Sequence, residues 1–278
     1  MKKYAVITMD VEDWYHTYFP QEEVDRSVSL LDGLDVALGI MDEQNIKGSF
    51  FVVGEIADRL GDKLRQMDAA GHDIACHNDV HLRPLSMSPE EFRSQLIRAK
   101  EKVETVLGHP VAGYRAPSFA IDDERLEIVR EAGFSYDSSK LKPQRSAKYG
   151  TLELAGYRET LPCVWQKDGF TEFEVSTQKC GPLNLLLGGG YIRMLPWLFM
   201  KRMTQSYLKT GKPYVMYIHP IDLSPQAMPT VKGCGWDKYL RTHIGRRHME
   251  KRFHRVIAML RQNGYEFVTF EQLRDLAH

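Results

Sequence analysis

Three acidic residues, Asp10, Glu12 and Asp13, fill three of four consecutive positions near the start of the chain. They directly follow an apolar, β-branched run, YAVIT (4–8), which predicts a buried strand. Carboxylates this close repel one another, and burying them is costly unless each is paired or binds a metal. This segment alone leaves two interpretations open: a solvated turn after a strand, or part of a charged site.

Two histidines spaced four residues apart, His77 and His81 in CHNDVH, form a second group with chemical potential. On a helical turn this spacing puts both imidazoles on one face, where they can bind one ion. A carboxylate from another strand would complete three protein ligands for zinc and leave its fourth position open. That pattern is typical of catalytic zinc sites, where the pKa of bound water falls to about 7. Without such a carboxylate, a histidine pair is more often part of a surface or a core.

Arg115 and His219 could complete an acid–base site around such an ion. One acid of DVED can be a metal ligand, and another can be a general base. Arg115, in GYRAPSF, follows a predicted strand, and a buried arginine needs an anion such as this base. His219 ends the apolar strand YVMYIH and is a candidate general acid, because histidine titrates near neutral pH. The simpler alternatives are a surface arginine and a histidine that caps a core strand.

Apolar runs alternate with helical patterns along most of the chain. Strands are predicted at 4–8, 48–54, 72–76, 111–116, 134–139, 213–219 and 265–270, and helices over 24–45, from Ser88 to Gly108, and over 123–133. This alternation predicts an α/β fold with a mostly parallel sheet, open or closed into a barrel. In such folds the site lies at the carboxyl ends of the strands. Five residues fall there: Asp10, His77, Arg115, Asp137 and His219.

Composition argues against several classes of function. The 278 residues are 43% hydrophobic and carry no net charge, which disfavours broad electrostatic capture of nucleic acid or an anionic membrane. No run reaches the roughly 18 apolar residues of a membrane span. The N-terminal segment lacks the apolar stretch of about 7–15 residues that marks a signal peptide. We therefore expect a cytoplasmic protein with no membrane span and no nucleic-acid partner; the oligomeric state is not indicated.

The chain is predicted to form a single catalytic domain over residues 1–278. Its least regular part, at about 144–190, is interpreted as a loop-rich insertion. The four cysteines show no CxxC spacing and are expected to be free thiols.

Four segments, TMDVED, HNDVH, RAPSF and YIHP, together resemble in order the motifs of the NodB-homology polysaccharide deacetylases, carbohydrate esterase family 4. The resemblance covers roughly residues 4–220. DVEDW and GGGYIR further resemble a branch associated with bacterial exopolysaccharide and O-antigen synthesis. The family implies a distorted (β/α)7 barrel and zinc-dependent removal of acetyl groups from N-acetylated sugars. Co²⁺ or Ni²⁺ would also accept histidine and carboxylate ligands.

The resemblance also implies roles for individual residues. Asp10 matches the family's general base, Arg115 the residue that braces it, and His219 the general acid. His77 and His81 match the two metal-binding histidines.

The third metal ligand is the point at which this chain departs from the family. The usual metal-binding acid directly follows the base, but Val11 stands there. The ligand must then be Glu12 or Asp13, and we favour Glu12. Ser118 is predicted to contact the substrate through its backbone N–H, which would help to hold the oxyanion.

Further residues have less certain roles. Either Asp137 or Asp222 could polarise His219. The basic run 241–252 is interpreted as a solvated helix face or as a site for a substrate phosphate. Aromatic and neighbouring residues that could contact a sugar are Trp14, Tyr15, His16, Tyr191, Arg193 and Trp197.

The sequence thus predicts a metal-dependent N-deacetylase that acts on a polysaccharide, or on a lipid-linked or nucleotide-linked sugar. One alternative is an amidohydrolase for a non-sugar amide or ureide on the same barrel. Another is a carbohydrate-binding protein that has lost its metal, which the departure at Val11 keeps open. This second alternative predicts no bound zinc and a glycan affinity that chelators leave unchanged.

Overall fold

A curled sheet with seven parallel strands forms the centre of the protein in a computed structural model, which describes residues 2–142 and 149–277. Numbered along the chain and given in their order across the sheet, these strands are β11 (Tyr214–Ile218), β1 (Lys3–Val11), β2 (Ser49–Val52), β3 (Asp73–Cys76), β4 (Gly113–Tyr114), β5 (Tyr136–Asp137) and β8 (Phe170–Phe173). The sheet continues past β8 with the antiparallel strands β7 (Val164–Lys167) and β6 (Arg158–Leu161). A separate hairpin consists of β9 (Thr177–Cys180) and β10 (Leu183–Leu186), and β12 (Tyr265–Phe267) pairs with the start of β1.

Helices connect and cover these strands. In the described part of the chain they are α1 (Trp14–Tyr18), α2 (Gly33–Glu43), α3 (Gly61–Ala69), α4 (Pro89–Leu107), α5 (Asp123–Glu131), α6 (Gly189–Met194), α7 (Trp197–Leu208), α8 (Pro220–Leu223), α9 (Trp236–His243), α10 (Met249–Gln262) and α11 (Phe270–Leu276). None of these helices has both the length and the apolar character needed to cross a bilayer.

The two ends of the parallel sheet approach each other. Ser176, just after β8, accepts a hydrogen bond from the backbone N–H of Val215 in β11 at 2.9 Å. The sheet is therefore curled into a half-barrel with helices around it. The predicted α/β fold of the distorted (β/α)7-barrel type is confirmed.

Alternation along β1 produces two apolar layers. Ala5, Ile7 and Met9 belong to the outer layer between sheet and helices, whereas Val6 packs inside the curled sheet with Phe51. Because successive side chains of a strand point to opposite faces, Thr8 and Asp10 share the inner face with Val6. The inner layer thus changes from apolar to charged toward the carboxyl end of β1.

Residues 265–276 close the inner layer at the end where the parallel strands begin. Lys3–Ala5 of β1 pairs with β12, and the side chains of Phe270 and Leu273 lie in the inner apolar cluster. Ser49 Oγ accepts from the N–H of Phe270 at 2.9 Å, which joins α11 to the start of β2.

One predicted helix is confirmed and another is shorter than predicted. Ser88 caps α4 through a hydrogen bond from the N–H of Glu91, and Gly108 ends it with a φ of 81°. The helix predicted over 24–45 begins only at Gly33. Its first part is irregular because Val28 O accepts from the indole N–H of Trp14, which fixes this segment against α1.

The segment around 144–190 contains more regular structure than the sequence predicts. Strands β6 to β10 all lie between residues 158 and 186, and two of them extend the main sheet. Part of the predicted insertion, residues 144–148, lies outside the described residues. The single-domain organisation stays a prediction.

Candidate active site

The carboxyl ends of the parallel strands meet at one edge of the sheet, where the polar residues predicted from the sequence lie. Asp10 is the penultimate residue of β1, and Asp137 is the last residue of β5. His77, Arg115 and His219 directly follow the last residues of β3, β4 and β11. The strand-end rule therefore located all five positions correctly.

Asp10 and Arg115 form a buried ion pair inside the curled sheet. They are 3% and 0% exposed, and Arg115 Nη1 donates to Asp10 Oδ1 at 2.7 Å. The same nitrogen donates to Thr8 Oγ1 at 2.8 Å, and the guanidinium carbon lies 4.0 Å from the centre of the Phe51 ring. Burial is tolerated here because the two charges neutralise each other and the donors of Arg115 have partners. The pair fixes the orientation of the Asp10 carboxylate.

Arg115 is held on its other side by the residues after β5. Its Nε donates to Ser138 O and its Nη2 to Ser138 Oγ, both at 3.0 Å. Ser139 donates its hydroxyl to Asp137 Oδ1 at 2.9 Å. Asp137 thus supports the segment that binds Arg115, and among the described residues it forms no ion pair with His219.

A second buried acid, Glu172 of β8, is paired with Asp137 across the sheet. We call these two residues the acid–acid pair. Glu172 Oε1 accepts from the backbone N–H groups of Ser139 and Lys140, at 3.0 and 2.7 Å. Burial raises the pKa of Asp137 to about 6, and burial together with the neighbouring Asp137 raises the pKa of Glu172 well above its usual value. The pair therefore holds a proton at neutral pH.

The two acids that compete as metal ligand, Glu12 and Asp13, have different surroundings. Asp13 Oδ1 accepts from the N–H groups of Trp14 and Leu30, both at 2.9 Å, so Asp13 caps α1 and fastens the segment before α2. Glu12 is 1% exposed, and its Oε1 accepts from Thr17 Oγ1 at 2.8 Å. Only Glu12 faces the two histidines.

Val11 explains why Asp10 and Glu12 lie close together. Its side chain is buried in the outer apolar layer, which leaves the residues on either side of it to face inward. A gap of one residue between two acids is therefore what strand alternation requires. This signal was present in the sequence and favours Glu12 over Asp13.

Glu12, His77 and His81 form a cluster that could bind a metal ion. Their ligand atoms all lie within 4.8 Å of one another, and all three residues are buried. Glu12 Oε2 lies 2.7 Å from His81 Nε2 and 4.0 Å from His77 Nε2. The spacing of the histidines predicts a helical turn, but residues 77–81 form an irregular loop in which Asn78 has a φ of 65°.

His77 is prepared as a ligand by its hydrogen bond to the backbone. Its Nδ1 lies 2.8 Å from Arg115 O, and since a carbonyl can only accept, Nδ1 carries the proton. Its Nε2 is buried without a hydrogen-bond partner among the described residues, 4.0 Å from carboxylate oxygens of both Asp10 and Glu12. An unpartnered imidazole nitrogen facing carboxylates fits a bound cation.

The charge states in the cluster also suit a metal. Burial lowers the pKa of His77 to about 4, so its imidazole is neutral at neutral pH. Burial opposes ionisation of Glu12, but His81, His219 and His77 together hold the pKa of its carboxyl well below the usual range. A metal requires neutral histidine ligands and an ionised carboxylate, and His77 and Glu12 meet this requirement.

His219 is positioned by Asp222 and Arg193. Asp222 Oδ2 accepts from the N–H of His219 at 3.0 Å and lies 3.2 Å from its Nδ1. Arg193, 0% exposed, donates from Nε to Asp222 Oδ1 at 2.7 Å. Of the two acids considered as partners of His219, Asp222 is the one in contact.

These contacts favour the protonated form of His219. Burial alone would lower its pKa, but the hydrogen bond and charge of Asp222, with Glu12 and Asp10 beyond, raise the pKa to about 9. A cation held by Glu12 would cancel part of this attraction. His219 Nε2 lies 3.8 Å from Asp10 Oδ2 and 3.6 Å from Glu12 Oε1, so the candidate acid and base meet at the same point.

These groups open into a cavity of about 450 Å³. Its lining includes Asp10, Glu12, His81 and His219, the aromatic residues Tyr18, Phe119, Tyr149, Tyr191 and Tyr217, and Ser118 and Arg241. A cavity of this size, with polar groups at one end and aromatic walls, suits a ligand of one or two sugar rings.

Ser118 lines the cavity, where its substrate-binding role is predicted. It and Phe119 are consecutive non-glycine residues with positive φ angles of 56° and 55°. Such conformations cost energy and recur at functional sites. They turn the segment after Arg115 toward the cavity.

Several residues considered as sugar contacts lie elsewhere. Arg193 is fully buried and serves Asp222, and Trp14 is buried in a small apolar cluster with Tyr15 and Phe19. Trp197 packs against Arg255 rather than lining this cavity. Tyr191 is the member of that group that lines it. Sequence reasoning missed Thr17, because hydroxyl groups are too common to single out.

Two family models match the chain, one after the other. Residues 30–136 match the polysaccharide deacetylase family, and residues 139–274 match a domain of unknown function, DUF3473. His77, His81 and Arg115 lie in the first match and His219 in the second, whereas Asp10 and Glu12 precede both. Strands from both matched regions belong to one sheet.

Curated relatives match over 34% to 41% of the chain. A peptidoglycan deacetylase of Helicobacter pylori is 22% identical over 107 residues, covering 38% of this chain and 36% of the relative. A peptidoglycan-N-acetylglucosamine deacetylase of Bacillus cereus is 24% identical over 120 residues, covering 41% and 44%. A probable 4-deoxy-4-formamido-L-arabinose-phosphoundecaprenol deformylase of Shewanella sediminis is 27% identical over 97 residues, covering 34% and 32%. The matches thus span less than half the length of these relatives.

Solved structures share the fold over nearly the whole chain. A polysaccharide deacetylase of Mycobacterium smegmatis superposes with a TM-score of 0.63 at 22% identity, covering 99% of this chain and 90% of that one. A family 4 acetyl xylan esterase from Clostridium thermocellum, in complex with a cobalt ion, gives 0.52 at 16% identity, with 99% and 91% covered.

Fold and matches together define the class. The chain carries a polysaccharide deacetylase region over residues 30–136, followed by a DUF3473 region over residues 139–274, on the fold of the solved polysaccharide deacetylase and family 4 esterase.

Proposed function

We propose that this protein is a metal-dependent hydrolase that removes the N-acetyl group from an N-acetylated sugar. The observation that carries the proposal is the meeting of one three-residue cluster and two pairs of residues at one cavity. These are the ligand cluster of Glu12 with the histidines, the Asp10–Arg115 pair and the His219–Asp222 pair. A deacetylase needs a Lewis acid, a general base and a general acid around one amide carbon.

Glu12, His77 and His81 would hold the ion. Two imidazoles and one carboxylate suit Zn²⁺, and Co²⁺ or Ni²⁺ accept the same ligands. When bound, such an ion polarises a carbonyl group and lowers the pKa of a water molecule. The unpartnered Nε2 of His77 and the ionised state of Glu12 support this assignment.

The remaining residues supply the proton transfers. Asp10, oriented by Arg115, accepts a proton from the water that attacks the acetyl carbon. The backbone N–H of Ser118 donates to the carbonyl oxygen as negative charge develops on it. His219, kept protonated by Asp222, donates its proton to the leaving sugar amine, and acetate departs. Asp10 thus accepts a proton and His219 donates one, and their different partners, Arg115 and Asp222, set these opposite roles.

A sugar substrate is supported by the named activities of the relatives. Two of them are named for peptidoglycan, and a third for a formamido sugar linked to phosphoundecaprenol. For this chain we propose an N-acetylated sugar in a polymer, or linked to a lipid or nucleotide, in exopolysaccharide or O-antigen synthesis. A cytoplasmic location would favour the lipid-linked or nucleotide-linked forms.

The metal content of the purified protein tests the proposal, with acetate release from N-acetylated sugars measured in parallel. Wild type should carry about one zinc-like ion per chain and release acetate, and His81→Ala should lose both. His109→Ala is the matched control, since His109 is half-exposed and paired with Asp68. A wild-type protein that neither contains nor accepts metal, but binds glycans, would move the assignment to a carbohydrate-binding protein. Turnover of ureides in place of sugars would favour the amidohydrolase alternative.

A further inference from the structure

One of the residues that line the cavity is an arginine to which the proposed reaction gives no role. Arg241, in the last turn of α9, is exposed and lines the cavity with Tyr18 and Tyr191. In the part of the chain that the structure describes, its guanidinium forms no ion pair and no side-chain hydrogen bond. Two arginines near the cavity, Arg115 and Arg193, are fully buried and paired with Asp10 and Asp222. Arg241 therefore has no carboxylate partner among the described residues, and it lines the cavity that a ligand would occupy.

Three basic residues near Arg241 in the sequence have hydrogen-bond or ion-pair partners within the protein. Arg246 donates to three backbone carbonyls, those of Ile221, Ser224 and Gln226. Arg252 likewise donates to carbonyls of α6 and of the residue that follows it, Leu195. Lys238, three residues before Arg241, is paired with Glu22. A structural role thus accounts for these cations but not for Arg241.

The backbone of Arg241 is tied to the candidate general acid. The buried guanidinium of Arg193 donates to the carbonyl oxygens of Arg241 and Ile244, and its Nε donates to Asp222 at 2.7 Å. Asp222 in turn holds His219. One buried arginine thereby fixes the end of α9 relative to His219, so the wall and the reacting end keep a constant separation.

We propose that Arg241 binds an oxyanion substituent, a phosphate ester or a carboxylate, on the sugar whose acetamido group lies at the other end of the cavity. The inference rests on the proposed function for the identity of that sugar. A guanidinium presents paired N–H donors that match either oxyanion, and its charge is weakly hydrated. The aromatic residues beside it, Tyr18 and Tyr191, leave the charge without a neutralising protein partner until a ligand supplies one.

Binding of the deacetylated sugars tests the inference without turnover. The probes are glucosamine 1-phosphate, glucosaminuronic acid and uncharged methyl glucosaminide, titrated calorimetrically into the full chain. Wild type should bind at least one charged sugar about tenfold more tightly than the uncharged one, the effect of one charged hydrogen-bonding contact. Arg241→Gln should abolish this ratio and Arg241→Lys should retain part of it. The ratio should also fall at high ionic strength.

Arg247→Gln is the matched control, because Arg247 is exposed in the same basic stretch and lines other cavities. It should leave the ratio unchanged. Equal binding of charged and uncharged sugars by wild type, or equal losses in both glutamine variants, would overturn the inference. A preference for the phosphate alone or for the carboxylate alone identifies the substituent.

Acetate release is measured separately from N-acetylglucosamine 1-phosphate and from methyl N-acetylglucosaminide. An Arg241-dependent preference in binding with no acetate release from any sugar supports the anion site and rejects the deacetylase assignment. Acetate release without a preference for charged sugars supports the deacetylase assignment and rejects the anion site.

Discussion

Two pairs of buried acids lie at the same edge of the sheet. The pKa of Glu12 in one pair and the pKa of Glu172 in the other are shifted in opposite directions. The first pair is Asp10, near the end of β1, and Glu12, just after it. The second is the acid–acid pair, with Asp137 at the end of β5 and Glu172 in β8. Histidines surround Glu12 and hold the pKa of its carboxyl low, whereas the pKa of Glu172 is raised by burial and by Asp137. All four residues are nearly or completely inaccessible to solvent.

Burial alone therefore does not decide the protonation of Glu12 and Glu172; the neighbouring charges do. Arg115 contacts both regions, since it pairs with Asp10 and also binds Ser138 of the segment supported by Asp137. In the proposed mechanism the first pair exchanges a proton and binds a cation, whereas the second pair holds a proton at neutral pH and supports the segment that binds Arg115. Four predictions test this division, beginning with the largest expected effect.

Asp10→Asn should reduce the deacetylation rate about 10²–10⁴-fold, because an amide cannot accept the proton of the attacking water. Metal content should remain, since Asp10 lies outside the ligand cluster. Asp137→Asn is the comparison, and it should change the rate only a few-fold, because an amide oxygen can still accept from Ser139. Steady-state acetate release on both folded variants measures the difference, and equal losses would remove the distinction between the two pairs.

Asp222→Asn should shift the alkaline limb of the pH–rate profile to lower pH. His219 donates its proton, so activity falls above its pKa, which Asp222 now holds near 9. Removing the carboxylate lowers that pKa, and each unit lost costs about tenfold in the protonated fraction at alkaline pH. The profile of kcat/KM reports this shift independently of how much protein is folded. An unchanged limb would assign the general acid elsewhere.

Thr17→Val should weaken metal binding about tenfold, the usual effect of removing a hydrogen bond to a ligand. The hydroxyl of Thr17 donates to Glu12 Oε1 and orients that carboxylate. Competition with a chelator of known affinity measures the change. Thr242→Val, which removes a buried hydroxyl that bonds within α9, should leave metal affinity unaltered.

Glu172→Gln should stabilise the protein at alkaline pH by roughly 1 kcal/mol or more. The folded-state pKa of Glu172 lies above its unfolded value. At a pH between these two pKa values the folded chain therefore binds one proton more than the unfolded chain. The stability that the protonated Glu172 carboxyl contributes in wild type is fully present below its unfolded-state pKa. It is lost as pH rises through the folded-state pKa. Denaturant unfolding at pH 5 and pH 8 should show the advantage of the variant growing with pH; an equal effect at both values would contradict a protonated pair.

The sequence predicts the placement of a candidate residue where the end of one strand is enough to define it. Asp10, His77, Arg115 and His219 were identified because parallel strands deliver their carboxyl ends to one edge. The choice of Glu12 over Asp13 depends on side-chain direction, which the alternation around Val11 encodes.

Contacts between distant segments could not be predicted in this way. Arg193, which the sequence suggests as a sugar contact, reaches Asp222 from the glycine-rich segment GGGYIR, and only the packed structure shows it buried. Strands β6 to β10 are short and joined by turns, so periodicity gave no signal for them. The loop from 77 to 81 departs from a helical turn because its backbone pairs with residues 54 and 55 instead.

The junction of α11 with the sheet has a consequence for how the protein is made. Phe270 is hydrogen-bonded to Ser49, 221 positions earlier, and its ring lies 5.9 Å from the guanidinium carbon of Arg115. Contacts this distant in sequence form late. A nascent chain on the ribosome can therefore complete the interior beneath Arg115 only after residues 265–276 emerge, and until then that apolar interior is exposed to chaperones and proteases.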